Sequence, residues 1–79
     1  MRIDKYLKVS RLIKRREVAN NACQQGKVFV NGKEVKPSYD VKIGDEIELR
    51  IGVNNLKVVV TSLAAVIKKE DAKDLYDII

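Results

Sequence analysis

Residues 2–32 read RIDKYLKVSRLIKRREVANNACQQGKVFVNG. Apolar Ile3, Tyr6 and Leu7, with Ser10, recur at i, i+3, i+4 and i+7, and Val9 and Ile13 flank that stripe, which predicts a helix over about Ile3–Leu12. Asp4 sits in its first turn, where a carboxylate suits the positive end of a helix. The phase is lost around Ile13–Arg15, so a turn is expected. A second helix is expected from about Arg15 to Gln25, with Val18, Ala19, Ala22 and Cys23 as its apolar stripe. Those residues are small and allow close packing. Gly26 is placed to end that helix in a left-handed conformation. A short strand, Lys27–Val30, then meets Asn31-Gly32, a dipeptide that favours a tight hairpin because both turn residues need positive φ.

Beyond this stretch, Lys33–Val35 is the expected return strand and Lys36-Pro37-Ser38 a break. Tyr39–Val41 reads as a short extended piece. Glu46–Ile51 alternates, with Ile47, Leu49 and Ile51 on one face. Leu56–Thr61 is a further strand, whose Val58-Val59-Val60 run suggests burial on both faces. In the tail, Ala72, Leu75, Tyr76 and Ile79 stand at helical spacing, so a short amphipathic helix is expected over Lys69–Ile78. The expected class is α+β: two N-terminal helices packed on a small, mostly antiparallel sheet, then a short C-terminal helix. Residues 1–62 form one expected unit and residues 63–79 its tail.

Charge is distributed unevenly. Residues 1–27 hold eight Lys/Arg and two acids, net +6, whereas residues 28–79 hold eight Lys/Arg and nine acids, net −1. A near-neutral body with one basic face is the footprint of a polyanionic partner. The 79 residues allow one domain with a small core. One cysteine forms no internal disulfide, and a lone Cys without His makes no zinc set, so neither metal nor cofactor is expected. No apolar run approaches the roughly 20 residues of a membrane span, and the N-terminus lacks the pattern of a signal peptide. A cytoplasmic protein without membrane contact is the expectation.

The composition argues against enzymatic chemistry. There is no histidine base, and the four glycines lie too far apart for a phosphate-cradling loop. Asp45-Glu46 and Glu70-Asp71 are adjacent acids, whose side chains diverge on a strand or a helix. No catalytic residue is expected.

The candidate binding residues are Arg2, Asp4, Lys5, Lys8, Arg11, Lys14, Arg15 and Arg16. Guanidinium suits phosphate because its fixed fork bonds two oxygens at once. Asp4 has three readings: it fixes the direction of a nearby arginine, it accepts from a base or ribose hydroxyl, or it serves the helix dipole. Ser10 is expected to bond locally near a helix end. Lys27 and Lys33 flank the hairpin as a weak extension of the patch. Tyr6 and Tyr39 read as packing residues, and Cys23 as a small core residue. Four aromatic side chains and no Trp do not suit stacking on single-stranded bases.

Arg2-Ile3-Asp4-x-x-Leu7, Ser10-Arg11, Arg16, Ala19, Gly26-x-Val28-x-Val30-Asn31-Gly32, Tyr39-x-Val41 and Gly44-Asp45 resemble the RNA-binding domain named after ribosomal protein S-four, the alpha-L motif. The likeness covers about Arg2–Ile51. The block MRIDKYLKVSRLIKRR and the later Lys69-Glu70-x-Ala72-x-x-x-Tyr76 are most similar to its stand-alone RqcP-type members, relatives of heat-shock protein fifteen. The resemblance implies that Arg2 and Arg16 face rRNA and tRNA backbone. It implies partners: large-subunit rRNA, peptidyl-tRNA and an RqcH-type tailing factor that adds C-terminal alanines to stalled nascent chains. The expected free state is a monomer. Three other functions fit the residues: a heat-shock-protein-fifteen-like recycling role, a general nucleic-acid binder including duplex DNA, and a module whose basic face meets an acidic protein.

Overall fold

In the computed structural model, residues 1–53, 55–63 and 75–79 are described. They form helices α1 (Ile3–Val9) and α2 (Arg16–Gln24) and strands β1 (Val28–Val30), β2 (Lys33–Glu34), β3 (Glu46–Leu49), β4 (Leu56–Val60) and β5 (Tyr76–Ile78). The strands make one sheet in the order β2-β1-β3-β4-β5, with every pairing antiparallel. This is the α+β arrangement that the sequence predicts. No helix among the described residues is long and apolar enough to cross a membrane.

Strand register sorts the side chains. Val28 lies opposite Leu49, Val30 opposite Ile47, and Ile47 opposite Val58, so these residues share one face. All are buried, and they pack with Ile3, Tyr6 and Leu7 of α1 and Ala19, Ala22 and Cys23 of α2 in one core. The other face carries Phe29, Glu48 and Lys57 side by side, and Glu46, Val59 and Asp77. Val59 is therefore only partly buried. The expected two-sided burial of the valine run is corrected to one side, because no element described covers the outer face.

The first helix stops earlier than its apolar pattern. It ends at Val9, Ser10 caps it, and Arg11 takes φ 61. A left-handed residue commonly ends a helix, but glycine usually supplies it. An arginine there gives no sequence signal, which is why Leu12 was expected inside the helix. Ser10 is buried, and its hydroxyl donates to the Leu7 carbonyl at 3.3 Å, the local bond expected. At the hairpin, Asn31 (φ 52) and Gly32 (φ 84) both adopt positive φ, as a tight two-residue turn requires. Gly26 (φ 73) ends α2 as read from the sequence.

Three other expectations are corrected. Val18 does not lie on the buried stripe of α2 but is 47% exposed, because the small residues Ala19, Ala22 and Cys23 turn inward beside it. Strand β3 ends at Leu49, and Ile51 is 41% exposed beyond it. Residues 76–78 are not helical: Tyr76–Ile78 pairs with β4 through Val60, Val59 and Val58. Backbone pairing along the open edge of β4 overrides the helical spacing there. The remainder of the expected tail helix, 69–74, lies outside the described residues. Leu75, only 1% exposed, sits in the core, and its carbonyl accepts the Tyr6 hydroxyl at 2.6 Å.

Candidate nucleic-acid interface

Loop 37–41 fixes the start of the chain. The amide of Ile3 donates to the Tyr39 carbonyl (2.8 Å), that of Asp4 to Pro37 (3.3 Å), and that of Val41 to Met1 (2.8 Å). Arg2 thereby becomes the N-cap residue of α1, while Arg16 is the first residue of α2. The two helices pack together and bring these arginines to one carboxylate.

That carboxylate is Asp4, whose side chain is 3% exposed. Arg2 grips it with two donors, Nε to Oδ1 at 3.3 Å and Nη2 to Oδ2 at 3.2 Å. Arg16 Nη2 reaches Oδ1 at 3.4 Å. Asn20 Nδ2 donates to Oδ2 at 3.2 Å, and the Lys5 amide to Oδ1 at 2.7 Å. Burial alone would raise the Asp4 pKa. The bonds from Asn20 and Arg2, the charge of Arg16 and the Lys5 amide outweigh burial, and the carboxyl titrates below its usual range. Asp4 therefore stays ionised at neutral pH. Asp4 occupies the first turn of α1 and bonds two guanidiniums, as two of its three readings expect.

The side chains of Arg2 and Arg16 remain 51% and 49% exposed. A guanidinium carries five N–H donors. Arg2 spends two on Asp4 and Arg16 one, leaving three and four for an outside acceptor. With the acid buried and the cations half exposed, the node presents positive charge outward. Two pre-aimed forks suit phosphate oxygens, because their side-chain entropy is already spent.

The other predicted residues surround this node without joining it. Lys5 is partly buried, and Lys8, which lies one helical turn after Asp4, is exposed. Arg11 and Lys14 are exposed in the turn between the helices. No ion pair engages Lys5, Lys8, Arg11 or Lys14 among the described residues. Arg15 lies 3.9 Å from Glu17, with both side chains largely exposed, a pair of little energetic weight.

Sequence reasoning missed Asn20, which holds Asp4 and accepts a bond from Gln24. Its signal was weak but present. A mid-helix Asn is disfavoured without a specific partner, and Asn20 stands at i+4 from Arg16 and i−4 from Gln24. Asp45 was missed as well. It is 8% exposed and accepts bonds from Asn31 Nδ2 (3.2 Å), the Tyr39 hydroxyl (2.9 Å) and the Lys42 amide (3.0 Å). Asn31 is thus committed to the scaffold, since its Oδ1 also accepts the Glu46 amide.

Residues 1–47, which contain the whole node, match the S4 domain. The chain belongs to the S4 domain family. Within that family it is 49% identical over 79 residues to a Streptococcus pneumoniae protein named RQC P-site tRNA stabilizing factor, covering all of this chain and 90% of the relative. The Bacillus subtilis protein of the same name is 48% identical over 79 residues, with 92% of the relative covered. Among solved structures, the trimeric heat shock protein 15 of Vibrio cholerae superposes with a TM-score of 0.93 at 34% identity, across the full chain and 81% of that protein. The S4 domain thus accounts for the helix pair, the hairpin and the loop that holds Arg2.

Proposed function

We propose that this protein is an RNA-binding factor of ribosome-associated quality control. It binds rRNA and peptidyl-tRNA together on obstructed large ribosomal subunits. By holding the tRNA in place it supports the RqcH-type factor that extends stalled nascent chains with alanine. The chain performs no catalysis itself, and positioning is its contribution.

The observation that carries this reading is the convergence of Arg2 and Arg16 on buried Asp4, with cations free of acidic partners among the described residues around it. Full-length similarity to relatives named P-site tRNA stabilizing factors supports the choice of partner. Such a surface reads the spacing of phosphates and the shape of folded RNA rather than base edges.

The test is sedimentation of tagged protein through sucrose gradients, wild type beside Arg2→Ala and Arg16→Ala. Wild type is expected with large subunits carrying peptidyl-tRNA, and both variants near the top. Wild type remaining at the top in low salt, with stalled ribosomes present, overturns the proposal.

A further inference from the structure

A cleft of about 540 Å³ is lined by Cys23, Gln24, Glu34, Val35, Lys36 and Pro37. Its size is that of sites which hold a small organic group, about 300–1,000 Å³. The cleft and the node share their supports. Pro37, on the cleft wall, accepts the Asp4 amide at 3.3 Å. Gln24, also on the wall, donates to Asn20, which in turn donates to Asp4. The cleft wall and the node are thus linked through Pro37 and through the Gln24–Asn20–Asp4 chain.

The chemistry of the lining is specific. Glu34 lies against Gly26, where an added Cβ would stand 2.3 Å from its Oε1. This places a carboxylate at the C-terminal end of α2, the partially negative end of a helix. No ion pair offsets it among the described residues. Glu34 is exposed, so a bound donor competes with water for its carboxylate. Lys36 adds an exposed ammonium, Gln24 an amide, and Val35 and Pro37 an apolar wall. A carboxylate for a hydroxyl, a cation for a phosphate and an apolar wall for a flat ring together describe a ribonucleotide.

We infer that the cleft holds one ribonucleotide of the bound RNA strand, with Glu34 accepting a hydrogen bond from its ribose 2′-hydroxyl, Lys36 on its phosphate and the adjoining phosphate on Arg2 and Arg16. This rests on the RNA-binding reading above and adds to it a residue that distinguishes RNA from DNA, since the 2′-hydroxyl is the group that differs.

The experiment uses the full chain and a short rRNA hairpin, together with a set of hairpins each carrying one 2′-deoxy substitution. Binding is read by fluorescence anisotropy at fixed salt. With wild type, one position should cost about tenfold in affinity when deoxygenated, the size of one hydrogen bond to a charged group. With Glu34→Ala that penalty should vanish. Arg16→Ala should weaken every hairpin while leaving the penalty in place. Lys36→Ala should lower the salt dependence by about one phosphate contact. Thermal unfolding of each variant confirms that it is folded. A wild type that binds the parent hairpin with no sensitive position, or a penalty that persists in Glu34→Ala, overturns the inference and leaves RNA binding intact. A wild type that binds no hairpin removes both.

Discussion

Asp4 and Arg16, twelve residues apart in sequence, meet at 3.4 Å across the junction of α1 and α2. The same carboxylate takes two donors from Arg2. Replacing Asp4 by Asn removes the charge that aims both guanidiniums. Unfolding in urea at pH 7 should show a loss of about 1–3 kcal/mol, the range for hydrogen bonds to charged groups. RNA affinity should fall as well, although the substitution makes the surface more positive. A rise in affinity would show that Asp4 opposes binding by its charge rather than aiding it by direction.

The depressed Asp4 pKa also fixes a pH dependence. Asp4 binds its proton less tightly when folded than when unfolded, so its contribution is present above its ordinary value of 3.8 and is lost as pH falls through the folded value. The stability gap between wild type and Asp4→Asn should be constant from pH 7 to about 5 and should close below about pH 4. Urea midpoints measured across that range are the check.

The C-terminal residues are part of the core. Leu75 is 1% exposed, and Tyr6 donates to its carbonyl. Leu75→Ala should cost about 2–5 kcal/mol, as large-to-small changes in a packed interior do. Tyr6→Phe should cost only about 0.5–1.5 kcal/mol, because the Leu75 carbonyl keeps the amides of Thr61 and Ser62. Equal effects from the two substitutions would show that the hydroxyl matters as much as the side-chain packing.

Cys23 offers a probe of opening. It is 3% exposed, and burial first, with the charge of Asp4 second, pushes its thiol up to about 11. The thiolate is the reactive form, so alkylation of native protein at pH 8 should be far slower than in urea. Rapid alkylation in the native state would mean that α2 separates readily from the sheet.

Asp45 ties the hairpin tip to the loop that holds the N-terminus. It accepts from Asn31, Tyr39 and Lys42, and Tyr39 in turn accepts the Ile3 amide. Asp45→Ala leaves these donors without their acceptor and should cost about 1–3 kcal/mol. It should also loosen Arg2, seen as weaker RNA binding at a temperature where the variant is still folded.

Much of this was legible in the chain itself. The 3.6-residue spacing of Ile3, Tyr6 and Leu7, the stop at Gly26 and the Asn31-Gly32 turn identified two helices and a hairpin, because each is dictated by neighbours in sequence. The excess of cations before residue 28 likewise identified a basic face. What depended on distant partners was not legible. Arg11 ends α1 in a conformation for which its side chain gives no hint. Tyr76–Ile78 has helical spacing yet forms a strand, because the edge of β4 offers hydrogen bonds that local sequence does not reveal. Asn20 looked like an ordinary polar residue until packing set it against Asp4. Spacing and composition were enough for the local elements and for the sign of the basic face, since both depend on residues close in the chain. That two arginines share one buried carboxylate could not be read there, because the geometry exists only once α1 and α2 have packed.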